Sequence, residues 1–329
     1  MMSGGLDSML AARIIKDMGI EVIGLNCIMP FSVRDRKAST AGKSLMERFC
    51  GDSGIELRKL DISDDFLAML EKPKFGFGSC LNPCIDCKII MFRKAKELMT
   101  EWGASFLISG EVLGQRPMSQ QRKTMRTIDE EAQTQELVLR PLSAKLLDPT
   151  LAEKEGWVDR EKLYDYSGRS RKAQTDLAVM IGIIEYLQPA GGCLLTDPRF
   201  CDRLSDLMKR QKLDADSVAL LKLGRHYRIG DTGRLVVGRD ERDNTAIEQL
   251  ALPGDYVFTP PFELPGPTGL GRGIAAETDI ALCCRIISRY CDRNGASEAT
   301  ITYKKAGEIE DYTCVASPLP ESELEKIRI

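Results

Sequence analysis

The sequence predicts an α/β fold, a parallel sheet with helices on both faces, followed by a smaller C-terminal α+β domain. Three observations carry this. Short apolar runs alternate with helical patterns over about the first 200 residues, the rhythm of βαβ units. Hairpin-like segments replace that rhythm in the last third of the chain. Charge shifts at the same place: residues 1–200 carry 28 basic and 28 acidic side chains, 201–242 carry 10 and 7, and 243–329 carry 8 and 14. A length of 329 residues suits two domains at ~100–200 residues each. The expected division is 1–207 and 208–329.

The elements follow in order. Apolar residues at helical spacing give a helix from Asp7 to about Met18, then an apolar strand, Glu21–Cys27. A helix Ser39–Cys50 and a strand Ile55–Ile62 repeat the unit. A long helix Cys87–Trp102 and a strand Ser105–Ser109 repeat it again. The second domain begins with the strands His226–Ile229, Arg234–Gly238 and Asp255–Thr259. A Pro/Gly-rich stretch, Pro260–Gly273, reads as loop. An amphipathic helix Glu277–Arg293 precedes two alternating strands, Ala299–Lys304 and Asp311–Ala316.

Composition narrows the chemistry. Apolar residues make up 43% and charged residues 29%, ordinary for a globular chain. No apolar run approaches the ~18 residues of a membrane span, and no signal-like start precedes the first helix. The expected location is the cytoplasm. A net charge of −3 excludes a uniformly basic nucleic-acid coat, and DNA is not an expected partner. Eleven Cys stand beside one His. In a chain with no export signal, thiols on that scale point to ligands, nucleophiles or packing rather than disulfides. Any chemistry here should run on sulfur.

Two motifs stand out. Ser3, Gly4, Gly5, Leu6, Asp7 and Ser8 lead directly into a helix. Paired glycines let the backbone turn its N–H groups toward an anion, and the helix N-terminus adds its dipole. Ser3 and Ser8 offer hydroxyls, and Asp7 can hold Mg²⁺ or order the loop. The Gly-Lys-Ser/Thr ending of a Walker loop is absent. Residues 80–88 read Cys-Leu-Asn-Pro-Cys-Ile-Asp-Cys-Lys. Cys84 and Cys87 lie one turn apart at a helix start, where the dipole should lower thiol pKa and favour thiolates. Cys193 follows Gly191 and Gly192 in a loop.

These residues resemble a known family. The first motif is similar to the SGGxDS loop of the PP-loop ATP pyrophosphatases. Together with Asn82-Pro83-Cys84-x-x-Cys87 and a distant Cys, it resembles the tRNA thiouridylases of the MnmA type, in their three-cysteine iron–sulfur branch. The resemblance covers about residues 3–205. It implies a Rossmann-like, adenine nucleotide α-hydrolase-like domain that binds ATP and Mg²⁺ through Ser3, Gly4, Gly5, Leu6, Asp7, Ser8 and Gly110. It also implies a 4Fe–4S cluster held by Cys84, Cys87 and Cys193, with Asp7 and these cysteines as the catalytic set. The implied reaction is adenylation of a tRNA uridine carbonyl and its replacement by sulfur. The donor would be a cysteine desulfurase, a sulfur carrier or sulfide. Such a loop follows a central strand, and only Met1 and Met2 precede it here; the expectation is a natural start further upstream.

Other readings compete. Cys80, Cys84 and Cys87 have the spacing of radical-SAM cysteines, although Asp86 stands where an aromatic is usual. The same three with one more sulfur could hold structural zinc. The activation could serve a small-molecule sulfurtransferase, or the chain could be a non-catalytic RNA-binding module. The remaining seven cysteines read as buried packing. The strand Ser105–Ser109 leads to a loop that should face the ligand. From Val112 to Ile128 the chain carries Arg116, Arg122, Lys123 and Arg126 with no acid, a candidate RNA contact. Arg140–Ser143 and Ser167–Lys172 are further candidates. The second domain loosely resembles the RNA-binding domain NFACT-R, through Gly224–Gly230, Val237–Arg239 and Pro265–Pro267. There Arg225 and Arg228, with His226 and Tyr227, would supply cationic and stacking groups for RNA.

Overall fold

In a computed structural model, residues 1–32, 43–186 and 193–329 are described. The chain divides into two compact units, Met1–Asp197 and Pro198–Ile329. Gly191, Gly192 and the first residues of the expected helix at 39–42 lie outside the described residues.

The first unit is built on parallel pairs. Helix α1 spans Leu6–Asp17 and buries Leu6, Met9, Leu10, Ile14 and Ile15. Strand β1 (Ile23–Ile28) leads to α2 (Leu45–Asp52), which starts at Leu45 because Ser44 and Glu47 form a reciprocal capping box. Strand β2 (Glu56–Asp61) pairs in parallel with β1, and α3 (Ser63–Glu71) and α4 (Cys84–Glu101) follow. Strand β3 (Leu107–Ile108), α5 (Arg122–Glu131) and β4 (Val138–Leu139) complete a second parallel pair, and α6 (Leu151–Lys154) and α7 (Lys172–Met180) close the unit.

Met1 and Met2 lie between the two pairs. The Met2 N–H donates to Leu25 O at 2.7 Å, the Met1 nitrogen donates to Ile108 O at 2.7 Å, and Asn26 Nδ2 donates to Met2 O at 2.9 Å. Two residues thus sit where a central strand would run. They deliver the Ser3–Ser8 loop beside the strand ends, where open α/β sheets bind ligands.

The second unit opens with α8 (Pro198–Met208) and α9 (Ala215–Leu220). Its sheet comprises β5 (Arg225–Ile229), β6 (Gly233–Val237), β7 (Tyr256–Thr259), β8 (Gly269–Arg272), β9 (Ala299–Lys305) and β10 (Tyr312–Ala316). Helices α10 (Glu241–Gln249), α11 (Glu277–Tyr290) and α12 (Glu321–Ile327) accompany it. The strands are antiparallel in the order β10-β9-β7-β8-β6-β5. Cys283, Cys284, Ile286 and Ile287 of α11 pack into a core with Tyr227, Leu235, Val237 and Phe258.

Two expectations change. The boundary falls at 197/198 rather than 207/208, because α8 belongs to the second unit. Its Asp206 accepts Arg228 Nε and Arg234 Nη2 at 2.7 Å each, tying the helix to β5 and β6. The Pro260–Gly273 stretch is not all loop, since it contains β8. A Cβ on Gly269 would stand 2.5 Å from Ile287 Cδ1, so glycine there lets α11 lie close on the sheet, at the cost of any apolar alternation. Cys27, Cys50, Cys201, Cys283, Cys284 and Cys291 are buried as expected, and Cys314 is half-buried.

Asp206 is the charged anchor of this unit. Burial alone would raise its pKa, but Arg228, Arg234 and Arg210 outweigh it and hold the carboxyl below the usual range. D206A leaves Arg234 buried and unpaired and should cost about 3 kcal/mol in chemical denaturation. Because the folded pKa is depressed, the wild-type advantage is present above the unfolded value of ~3.9 and fades as pH falls through it. A variant as stable as wild type at pH 7 would remove Asp206 from this role.

Candidate active site

The loop at the start of α1 is held from within. Ser8 Oγ donates to Gly5 O at 2.8 Å and lies 3.2 Å from Ser3 Oγ, and the Ser3 N–H points to Ser8 Oγ at 3.3 Å. Gly4 has φ +77°, the left-handed conformation expected of the first loop glycine. No side chain caps α1, so its first N–H groups are left for an anion. Leu6 contributes backbone only, its side chain being core.

Residues 110–116 build the opposite wall. A Cβ on Gly110 would stand 2.5 Å from the carbonyl of Asp7 and from the Ser8 nitrogen, so only glycine allows this approach. Gln115 Nε2 and Arg171 Nη2 each donate to Asp7 Oδ2 at 3.0 Å, and Gln174 Nε2 donates to Gln115 Oε1 at 3.3 Å. Asp7 Oδ1 is buried and lacks a hydrogen-bond partner. Next to Gly110, Glu111 is buried between two cations. Lys88 Nζ of α4 lies 3.5 Å from Oε1, and Arg140 Nε donates to Oε2 at 3.0 Å. Arg140 also holds Asp129 of α5 through two bonds of 2.9 and 2.8 Å. Burial would raise the Glu111 pKa, but Lys88 and Arg140 outweigh it and keep the carboxyl ionised.

The thiols lie along the same segment. Cys84 opens α4, and Cys87 follows one turn on, its N–H donating to Pro83 O at 2.8 Å. Cys193 arrives from far along the chain because its neighbours are stitched down. Leu194 N–H donates to Phe31 O at 2.9 Å, and Leu81 N–H, just before α4, donates to Leu195 O at 3.3 Å. The three thiols are close enough to feel one another. Cys87 is raised to about 12, first by burial, with Lys88 opposing and Cys193 and Cys84 adding to the rise. Burial likewise raises Cys84 and Cys193, and the Arg116 guanidinium opposes the rise at both. The thiolate expected from the helix dipole is therefore overturned: burial outweighs it, and without a metal all three are thiols at neutral pH. Cys80 stands apart, exposed at φ +59°, its Sγ 3.9 Å from Thr196 O. Among the described residues no three Cys, His, Asp or Glu side chains stand in a metal-ligand arrangement.

The candidate RNA contacts separate. Arg122, Lys123 and Arg126 are exposed on α5; Arg122 reaches Leu146 O, and Arg126 pairs with Glu130 at 2.9 Å. Arg116 is exposed but its charge serves the thiols. Arg140 and Ser143 are buried and cannot meet RNA, and Arg171 belongs to the nucleotide loop. In the second unit Arg225 lies over the Tyr290 ring at 4.7 Å and Arg228 pairs with Asp206. His226 and Tyr227 are buried, so neither can stack on a base. Sequence reasoning missed the roles of Lys88, Glu111, Gln115, Arg171 and Gln174, whose pairings are long-range and leave no local pattern.

Residues 1–154 match the family described as tRNA methyl transferase HUP domain, and residues 224–328 match the NFACT protein RNA binding domain. It is 22% identical over 259 residues to a tRNA sulfurtransferase of Desulfurococcus amylolyticus, covering 78% of this chain and 47% of that protein. A probable tRNA sulfurtransferase of Methanosarcina mazei is 29% identical over 120 residues, 35% of this chain and 28% of its own length. The tRNA-specific 2-thiouridylase MnmA of Parvibaculum lavamentivorans is 28% identical over 139 residues, 40% of this chain and 35% of its own. The chain thus spans about half the length, or less, of these relatives.

The Ser3–Ser8 loop and the wall at Gly110 pass two tests for a nucleotide. The Gly110 contact is a cradle that a Cβ would fill, and Asp7 Oδ1 is an orphaned acceptor beside the uncapped α1 terminus. G110A should lower ATP affinity at least ~10-fold, about 1.4 kcal/mol, with circular dichroism unchanged. Wild-type affinity would show that the contact does not shape the loop. In the metal-free protein, iodoacetamide at pH 8 should alkylate exposed Cys80 first and half-buried Cys87 more slowly, read by peptide mass mapping. Equal rates would contradict this ordering.

Proposed function

We infer that the protein is an ATP-dependent tRNA uridine thiolase. The observation that carries this reading is the pair Gln115 and Arg116. Gln115 holds Asp7 of the Ser3–Ser8 loop, and the charge of the next residue opposes the burial-driven rise in thiol pKa at Cys84 and Cys193. Adjacent residues thus act on the loop and on the thiols, as suits a reaction that first activates an oxygen and then replaces it with sulfur. The relatives named tRNA sulfurtransferase and 2-thiouridylase, and the NFACT-R match, support tRNA as the substrate.

The uridine carbonyl oxygen attacks the α-phosphorus of ATP, and pyrophosphate leaves. Sulfide, as HS⁻, then attacks the carbonyl carbon, AMP departs with the original oxygen, and the S–H proton passes to solvent. Sulfur delivered as a persulfide by a desulfurase or carrier is first released as sulfide by a thiol reductant, which leaves as a disulfide. The Ser3–Ser8 loop and the α1 terminus bind phosphate oxygens, so their N–H groups offset the charge developing during adenylation. Asp7, fixed by Gln115 and Arg171, orders the loop and presents Oδ1 toward Mg²⁺ when the metal accompanies ATP. Lys88 and Arg116 favour ionisation of the thiols against burial. Lys88 is itself held by Glu111, next to the Gly110 contact, so both halves of the site rest on adjacent residues.

In donor chemistry alone Cys84, Cys87 and Cys193 suit a 4Fe–4S cluster: three half-buried thiols with no His among them, which do not stand in a metal-ligand arrangement. Bound through three cysteines, such a cluster supplies a Lewis-acidic iron with a coordination position open to a sulfur ligand. Ligation would also draw off the protons that burial retains on these thiols. Cys80, exposed and directed at Thr196 O, is outside this set. The sulfur donor is then a desulfurase, a carrier or sulfide.

Nucleoside analysis of tRNA from cells lacking the gene tests the reading. A thionucleoside should disappear, return with the wild-type gene, and fail to return with C87S. An unchanged thionucleoside profile would reject it. Anaerobic purification should give absorbance near ~400 nm with iron and sulfide; stoichiometric zinc would remove the cluster from the account.

A further inference from the structure

A second site lies within the C-terminal unit. Residues of α8, α9, β5, β6 and β8 enclose a cavity of about 50 Å³, lined among others by Arg210, Gln211, His226, Thr232, Arg234 and Arg272. At ~10–15 Å³ per water, it has room for about four waters or one tetrahedral oxyanion.

Its wall is over-supplied with cations. Arg210, Arg228 and Arg234 share Asp206, at 3.5, 2.7 and 2.7 Å, and Arg272 pairs with Asp255 at 2.7 Å. Three of these guanidinium groups, those of Arg210, Arg234 and Arg272, line the cavity, and Arg228, outside the lining, shares Asp206 with two of them. Arg234 is 9% exposed, yet its Nη1 is buried with no hydrogen-bond partner, and the same holds for Arg272 Nη1. A buried donor without a partner is unfavourable, and an anion in the cavity would offset that cost.

His226 adds selectivity. The imidazole is 2% exposed, and its Nε2 lies 2.8 Å from Leu223 O. A carbonyl only accepts, so Nε2 carries the proton. Burial, with Arg203 and Arg234 adding to it, keeps the ring neutral. Nδ1 is then a bare acceptor, and it too is buried without a partner. Two donors and one acceptor suit an oxyanion that bears an O–H. Dihydrogen phosphate, hydrogen phosphate and a protonated phosphate monoester each bear at least one; sulfate and a phosphodiester bear none.

We propose that this cavity binds a protonated phosphate group, with Arg210, Arg234 and Arg272 as cationic partners and His226 Nδ1 accepting the P–OH proton. The group is either inorganic phosphate or the terminal monophosphate of an RNA. The RNA source rests on the NFACT-R match; the free ion does not, and neither depends on the thiolation chemistry.

Calorimetry on the full chain at pH 6 and constant ionic strength tests this with sodium phosphate and sodium sulfate. Phosphate should bind once per chain, at least ~10-fold tighter than sulfate. R210Q, a half-exposed position whose loss leaves Arg228 and Arg234 on Asp206, should weaken phosphate about tenfold with an unchanged circular dichroism spectrum. R234K, which keeps a charge against Asp206 but loses the second amino group, should weaken it as well. A short RNA with a 5′-phosphate, compared with its 5′-hydroxyl twin, separates the sources. Tighter binding of the phosphorylated RNA, lost in R210Q, assigns the cavity to RNA ends, and no gain assigns it to the free ion. No saturable phosphate binding up to ~10 mM, sulfate equal to phosphate, or R210Q equal to wild type would overturn the proposal.

Discussion

The site depends on one close approach, the backbone at Gly110 lying against the carbonyl of Asp7 and the nitrogen of Ser8. No side chain fits there, so the exit of β3 and the start of α1 are held at a fixed separation. Everything that follows Gly110 uses this. Glu111 turns inward to the Lys88 and Arg140 pairs, Gln115 reaches back to Asp7, and the charge of Arg116 opposes the raised thiol pKa of Cys84. Seven residues of chain thereby set the phosphate loop and the cysteines in one frame.

Burial sets the state of the sulfur. A Cys-x-x-Cys at a helix start reads as a thiolate pair, yet Cys87 is enclosed between Met29 and Met91 sulfur atoms at 3.7 and 3.9 Å, where charge is costly. Lys88 and Arg116 oppose that cost without overcoming it. Such thiols are inert until a metal or a reaction partner takes the proton, which suits a sulfur site that must not react with ATP or solvent between turnovers.

Much of this was legible in the sequence, and the limits have physical causes. The Ser3–Ser8 loop, the α4 cysteines and Cys193 show because glycine pairs, Asn-Pro turns and cysteine spacing are local chemistry. Arg171 read as an RNA contact and Arg140 as another, since a lone arginine carries no sign of the carboxylate it will meet. Arg140 is buried against Glu111 and Asp129, and Arg171 rests on Asp7. His226 and Tyr227 read as surface groups, yet strand β5 buries both of these neighbours, Tyr227 in the core beside Leu235 and Phe258. Strand β8 was hidden because Gly269 and Gly271, which let α11 and Ile274 approach, erase the apolar alternation that marks a strand.

In the proposed reading the first unit supplies a loop and thiols for activation and sulfur transfer, and the second an arginine-lined cavity for a phosphate group. The most direct test of the central claim counts AMP and thiolated uridine in a single reaction of the purified protein with ATP, a sulfur donor and unthiolated tRNA. The account predicts one AMP for each thionucleoside, and neither product when tRNA is omitted. AMP formed at the same rate without tRNA, or with no thionucleoside, would contradict it.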